Sequence, residues 1–390
     1  MRTGLDRVLV GDVADERVRA LLAEPLALLT NDAALSGRFE HGRVELLAAG
    51  IRISRLFGPE HGISASGADG SPQHDGADPL TGLPVTSLYG ERFAPATAQL
   101  EGLGAVLVDL PDIGCRFYTY AWTMSHVMEA CADAGTPVIV LDRPNPLGGL
   151  PADVEGPMLD EERCASFLGR WSVPIRHGLT LGELARHWQR ERMPGLQLHV
   201  VAADGWRRHE IAAAGRRPWV PTSPAMPSAE AALLYPGLGL LEGVGVSEGR
   251  GTALPFRVAG APWVDGRALA ARLRRDGVPG AAVTPYSFAP ESGPFAGERC
   301  GGVLFTVTDA AAVRPVRLGL SLLSAFAELW PERLVERRYP TAANPSGAGH
   351  LDRLLGVPGV FAALRSGELS ALPLDPPAGW FDAMEAARLY

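Results

Sequence analysis

The sequence predicts an α/β protein with a doubly wound, mostly parallel N-terminal domain and a smaller α+β C-terminal domain. Three observations carry that reading. Short β-branched runs alternate with helically spaced apolar residues as far as Leu141, the pattern of a parallel sheet. Polar and glycine-rich loops follow those runs, at the edge where open α/β sheets bind ligands. After Pro218, Pro221, Pro224 and Pro227, whose spacing suits an extended connector, the alternation loosens; the domains are therefore expected at 1–228 and 229–390.

Taken in order, Pro25–Thr30 is an apolar run ending in Thr30-Asn31-Asp32, and Arg43–Ala49 reads as a helix stopped by Gly50. Ile51–Phe57 is the next strand. It empties into Gly58-Pro59-Glu60-His61-Gly62 and a loop to about Gly82, a length that inside a compact domain points to function. Leu83–Leu88 is a further strand. Ala105–Val108, Ala121–Ala134 and Val138–Leu141 then read as strand, helix, strand, a right-handed βαβ unit whose strands finish on one edge. Asp109, Asp112, Arg116, Tyr118 and Tyr120 follow the first strand, and Asp142, Arg143 and Asn145 the second, so these groups are expected to share one crevice. An Asp that starts a turn or caps a helix is common, so it is the density of the cluster that favours a site.

Val154-Glu155-Gly156-Pro157 is a turn carrying one acid. Arg176-His177-Gly178 leads into Thr180-Leu181-Gly182-Glu183, a capping box that opens the helix Leu181–Gln189 and gives Glu183 a structural task. Leu196–Ala202 is a strand. Tyr235–Thr252 contains GLGLLEGVGVSEGRGT, whose glycines beside Ser247, Glu248 and Arg250 suit close approach to a ligand or another segment; as a dinucleotide fingerprint it is poor. Asp265 caps a helix over Gly266–Arg275, Gly302–Val307 is a strand, Val316–Leu329 is an amphipathic helix, and short helices finish the chain.

Composition narrows the chemistry. With 390 residues, 46% hydrophobic and 21% charged, the chain can fill two cores and reads as globular and soluble. A net charge of −8 argues against a nucleic-acid partner. All 36 basic residues are arginine, which excludes Schiff-base lysine chemistry and a phosphate-cradling P-loop. Cys115, Cys131, Cys164 and Cys300 form no CxxC pair and the histidines no HExxH, so no disulfide framework, no metal and no cofactor are expected. No run of about 18 apolar residues, the length a membrane-spanning helix needs, occurs in the chain. The start, MRTGLDRVLVGD, lacks the apolar core of a signal peptide, which suits a cytoplasmic chain or a trimmed exported one.

The motifs LFGPEHG (56–62), TGLPVTSLYG (81–90), DIGCRFYTYAWTM (112–124), LDRPNPLGG (141–149), EGP (155–157), RHGLTLGELA (176–185), YPG (235–237), SEGRGT (247–252) and GAPW (260–263) run in this order along nearly the whole chain. In them the sequence resembles the NamZ-like exo-β-N-acetylmuramidases, once catalogued as a domain of unknown function. The resemblance implies a Rossmann-like N-terminal domain, a C-terminal domain completing a cleft, and removal of terminal β-linked N-acetylmuramic acid from non-reducing ends of peptidoglycan fragments. This sequence departs from the family pattern at Pro111 (usually Gln), Ser64-Ala65 (commonly Arg-Gly) and Ala225 (usually Asn), which bears on the sugar or peptide contacts. A non-catalytic muropeptide-binding or sugar-binding protein, or a hydrolase of another β-N-acetylhexosaminide, is the competing function.

A glycosidase needs a proton donor and, in most families, a second carboxylate. Glu60, between a strand end and a long glycine-rich loop and next to His61, is the first choice as acid, against the plainer role of capping loop amides. Glu248, Glu155 and Asp112 compete for the second place. The lactyl carboxylate of N-acetylmuramic acid calls for a guanidinium, with Arg116, Arg143 and Arg250 as candidates, although each could instead hold a structural Asp. Tyr118 and Tyr120 can stack on the sugar or bind its hydroxyls, but at i, i+2 only one of them faces the cleft in an extended segment. His61, Asp142, Asn145, Glu155, His177 and Ser247 complete the expected binding set.

Overall fold

The computed structural model describes residues 1–215, 218–369 and 372–390. Its larger sheet has seven strands: β1 (Leu26–Thr30), β2 (Ile53–Gly58), β3 (Gly76–Ala77), β4 (Pro84–Ser87), β5 (Ala105–Asp109), β6 (Val138–Leu141) and β7 (Leu198–Val201), in the order β3-β4-β2-β1-β5-β6-β7. All neighbours are parallel except β3 and β4. The residues of β1, β5 and β6, LALLT, AVLVD and VIVL, are buried throughout, because helices cover both faces of the sheet and leave no face for polar residues. From β1 the chain builds outward through β2 and then returns to place β5 on the other flank of β1, so the strand order reverses between β1 and β5. Crevices at the carboxyl ends of such strands are where open α/β sheets take ligands.

The capping box is present: Thr180 Oγ1 accepts from the Glu183 N–H at 3.2 Å and Glu183 Oε2 from the Thr180 N–H at 3.1 Å, opening the helix Leu181–Arg192. The helix of the βαβ unit spans Tyr120–Ala134 and stops at Gly135, whose φ of 68° suits a residue without Cβ. Two short helices before β1, Gly4–Leu9 and Glu16–Leu22, carry no long apolar stripe and were not expected from the sequence.

The smaller sheet is antiparallel, in the order β8-β10-β9, with β8 Val258–Ala261, β9 Ala281–Phe288 and β10 Cys300–Val307. The first two escape a sequence reading because VAGA has no large side chain and AAVTPYSF is a mostly exposed edge interrupted by Pro285. The helix Ala229–Leu238, hydrophobic all round, packs on Pro315–Leu329. The two approach through glycines: a Cβ on Gly237 would stand 1.9 Å from the Pro315 carbonyl oxygen, and one on Gly319 2.4 Å from that of Gly237. One hydrophobic cluster runs from Ala27 to Met384, so the two sheets share a core. The proline-rich connector is part of the packed structure, with Thr222, Ser223, Ala225 and Met226 buried.

Candidate active site

A cavity with about 710 Å³ of empty space lies where the loops after β2 and β5 meet the C-terminal half of the chain. Glu60, His61, Asp69 and Tyr89 reach it from the β2 and β4 side, Phe117 to Thr119 from β5, Ser223, Ala225 and Met226 from the connector, and Glu242, Arg250, Tyr339, His350 and Arg353 from the C-terminal half. Thr341 closes over the Gly70 loop, where the Ala342 N–H donates to the Gly70 carbonyl at 2.7 Å.

Glu60 is buried on the turn that ends β2. Thr119 Oγ1 donates to its Oε2 at 2.6 Å and the Gly70 N–H to its Oε1 at 2.8 Å, so the loops after β2 and β5 both fix the carboxyl. Tyr89 stands beside it; burial, and then the Glu60 charge, push that phenol up. His61 sits at a φ of 67°, costly for a residue with a Cβ and held only by its surroundings. Its Nδ1 donates to the Gly67 carbonyl at 2.8 Å, which turns Nε2 toward Asp69, 3.8 Å away.

A charged cluster borders the same cavity. Arg250 donates to Asp69 Oδ2 at 2.7 Å, Glu242 Oε1 at 2.6 Å and Glu248 Oε1 at 3.1 Å, and its guanidinium lies 4.6 Å over the Phe256 ring. Glu242 also meets His350 Nε2 at 3.2 Å, and His350 stacks on Tyr339 at 4.6 Å. Burial opposes ionisation of Glu242, but Arg250 and the His350 hydrogen bond outweigh it and hold the carboxyl down to about 2. Asp69, with a quarter of its side chain exposed, is the more open of the two.

Of the residues expected from the sequence, the structure gathers Glu60, His61, Tyr118 and Arg250 around this cavity. Tyr118 lines it with its hydroxyl on Thr222 Oγ1 at 2.7 Å, whereas Tyr120, fully buried at the helix start, donates to the Thr222 carbonyl at 2.6 Å and accepts from Asn31 at 2.9 Å. The cluster expected at the ends of β5 and β6 is divided: Asp112, Arg143 and Asn145 border a small, separate pocket there, and other members are tied to structural partners. Arg143 forks onto Asp109 at 2.6 and 3.0 Å. Asp142 takes the Thr180 hydroxyl at 2.7 Å, the Gly182 N–H at 2.8 Å and the Tyr390 hydroxyl at 2.7 Å, fixing the start of the helix Leu181–Arg192. Asn145 bridges the Leu179 carbonyl and the Leu147 N–H.

Arg116 is buried and ties three carbonyls, of Pro157, Val173 and Leu354, at 2.8 to 2.9 Å; with no carboxylate paired to it among the described residues, burial lowers its guanidinium to about 10. Glu155 accepts from the Val316 and Arg317 N–H groups and so caps the helix Pro315–Leu329 from the other domain. His177 is buried, with Nδ1 accepting from the Leu179 N–H, and burial pulls its imidazole down to about 3. Ser247 is buried and accepts from the Gly249 N–H. Glu248 lies behind Arg250, away from the cavity surface.

Asp69, Tyr89, Glu242, Tyr339, His350 and Arg353 are cavity residues that the sequence reading did not single out. Asp69 and Glu242 stand in stretches it did mark, the long loop after β2 and the glycine-rich segment, and the signal there was the stretch rather than the residue. Among the described residues no cluster of His, Cys, Asp and Glu is arranged to hold a metal ion.

A buried carboxyl at the edge of a parallel sheet, in a cavity also lined by further acids and aromatic rings, is the equipment of a glycosidase. Residues 26–230 match the family described as exo-β-N-acetylmuramidase NamZ, N-terminal, and residues 233–371 its C-terminal counterpart. The chain is 37% identical over 334 residues to the peptidoglycan β-N-acetylmuramidase NamZ of Bacillus subtilis (strain 168), covering 85% of this chain and 78% of that one. Crystal structures of two DUF1343 family proteins of Bacteroides fragilis NCTC 9343 superpose with TM-scores of 0.86 and 0.74, at 29% and 25% identity, over the whole of this chain and 98% of each of theirs. The chain belongs to the NamZ exo-β-N-acetylmuramidase family, and it is a glycosidase.

Proposed function

We infer that the chain removes terminal β-linked N-acetylmuramic acid from the non-reducing ends of peptidoglycan fragments, with Glu60 as the proton donor to the leaving oxygen. The observation that carries this is the placement of Glu60: buried, aimed by Thr119 and Gly70, and bordering the same cavity as the charged cluster. Glycoside cleavage needs a carboxyl held within reach of the glycosidic oxygen and a second group on the opposite face of the sugar. Asp69 suits the second role better than Glu248, Glu155 or Asp112. It borders the cavity, keeps part of its side chain open, and is oriented by Arg250 and His61, whereas the other three are engaged elsewhere. Tyr118 and Phe117 supply aromatic surface for the pyranose. Ala225 borders the same cavity, so the family's usual Asn at this position would add a polar group to the wall that this chain lacks.

The test is release of chromophore from a β-N-acetylmuraminide and, in parallel, from the matching β-N-acetylglucosaminide. The muraminide should be cleaved and preferred. Glu60→Gln should lower turnover by about a hundredfold or more, the usual scale for a lost general acid, with little change in melting temperature. A near-normal rate for that variant on a substrate with a poor leaving group would remove Glu60 from the acid role. Sugar binding without release by the wild type would instead favour a binding protein.

A further inference from the structure

We propose that Arg353 is the residue that reads the lactyl carboxylate of N-acetylmuramic acid, an inference that rests on the muramidase reading above. The substrate differs from an N-acetylglucosaminide by one carboxylate, and that charge must enter a cavity already bordered by Glu60, Asp69 and Glu242. Unless a cation meets it there, the added charge is repelled. Each arginine that the sequence suggested is already engaged. Arg116 lies outside the cavity and spends its donors on carbonyls, Arg143 is forked onto Asp109, and Arg250 serves three carboxylates at once.

Arg353 is different. It borders the cavity from the short helix His350–Leu355, three residues beyond the His350 that binds Glu242. The residue is half-buried; its guanidinium makes one hydrogen bond, on the exposed side, from Nη1 to the Ala348 carbonyl at 2.9 Å, and has no carboxylate partner among the described residues. That bond anchors one corner of the fork and leaves Nε and Nη2, the edge that pairs with a carboxylate in bidentate fashion, without an acceptor among the described residues. A guanidinium held by a single carbonyl at the border of this cavity can receive an anionic substituent.

The experiment uses the full chain and two probes, free N-acetylmuramic acid and the same sugar with its lactyl group converted to the primary carboxamide. Titration calorimetry gives both affinities for the wild type, Arg353→Gln and Arg353→Lys, with melting temperatures to confirm folding and muraminide hydrolysis followed beside it. The wild type should bind the acid at least about tenfold more tightly than the amide, as expected for a partly desolvated charge pair. In Arg353→Gln the ratio should fall to about one, and Arg353→Lys should restore part of it, since lysine keeps the charge but not the fork. A ratio unchanged in Arg353→Gln, or no acid preference in the wild type, overturns the proposal. Hydrolysis that persists while the ratio does not move sinks Arg353 alone. A ratio that collapses as proposed in a wild-type chain that never cleaves the muraminide sinks the catalytic reading and leaves the carboxylate reader standing.

Discussion

At the scale of single residues, the chain uses identical side chains in opposite ways, and burial with partners decides which. Glu242 is buried beside a guanidinium and stays ionised; Asp112 is a half-buried residue whose Oδ1 is shut off from solvent and has no partner among the described residues. Burial pushes the Asp112 carboxyl up to about 7, against the Gly114 and Ile113 N–H groups that pull it down. In the unfolded chain the same group titrates near 3.8. Between those two values the folded chain holds the extra proton, so stability falls as the pH rises through this window and stays lower above it. The loss is about 4 kcal/mol at most. Asp112→Asn removes it, because the amide oxygen still accepts from the Gly114 N–H, at 2.7 Å in the wild type. Thermal melts should therefore coincide at pH 4 and separate at pH 8, with the variant higher. If the variant melts no higher at pH 8, the buried carboxylate costs the fold nothing. Sequence motifs point to Glu60 and Arg250 of this cavity and pass over Asp69, Glu242 and Arg353, because a motif names residue types and not their partners; Arg143 and Asp142 read as site residues since their engagement with Asp109 and Thr180 spans dozens of positions.

Elements were legible where one physical signal dominated. β1, β5 and β6 are uninterrupted apolar runs because they are covered on both faces, and the helix Leu181–Arg192 announces itself through its capping box. The helix Ala229–Leu238 was not legible, since it is apolar on every side, contains Pro236 and shows no amphipathic period to detect. Its position is fixed by a backbone-to-backbone crossing instead, through Gly237 and Gly319. Alanine is the better helix former by about 1 kcal/mol, so an isolated helix would gain from Gly319→Ala. Here the new Cβ would meet the Gly237 carbonyl oxygen at 2.4 Å, and with backbone on both sides the helices must separate. Overpacking of that kind costs about 1 to 3 kcal/mol, which should exceed the propensity gain. Urea unfolding of Gly319→Ala should thus show a lower midpoint than wild type; an increase would mean that the crossing is loose enough to admit a methyl group.

Over the whole molecule, the two sheets share one hydrophobic core, and the end of the chain returns to the N-terminal half. The helix Ala378–Ala387 packs on Leu181–Arg192, with Trp380 and Met384 buried in the shared core. Trp380 Nε1 donates to the His177 carbonyl at 3.2 Å, the Leu389 N–H to Glu183 Oε1 at 2.9 Å, and the Tyr390 hydroxyl to Asp142 Oδ2 at 2.7 Å. These contacts hold in place the capping box and the Asp142 carboxyl at the carboxyl end of β6, inside the N-terminal sheet. A chain ending at Asp375 would lose about 2 kcal/mol for each of the two buried side chains and about 1 to 3 kcal/mol where Asp142 gives up the Tyr390 hydroxyl. The expected loss is on the order of 5 kcal/mol, a large share of the stability of an ordinary domain. Scanning calorimetry should find that this truncation lowers the melting of the N-terminal half, although nothing in the first 375 residues has changed. An N-terminal half that melts at its original temperature would mean that the last helix decorates the fold and that the capping box at Thr180 stands without it.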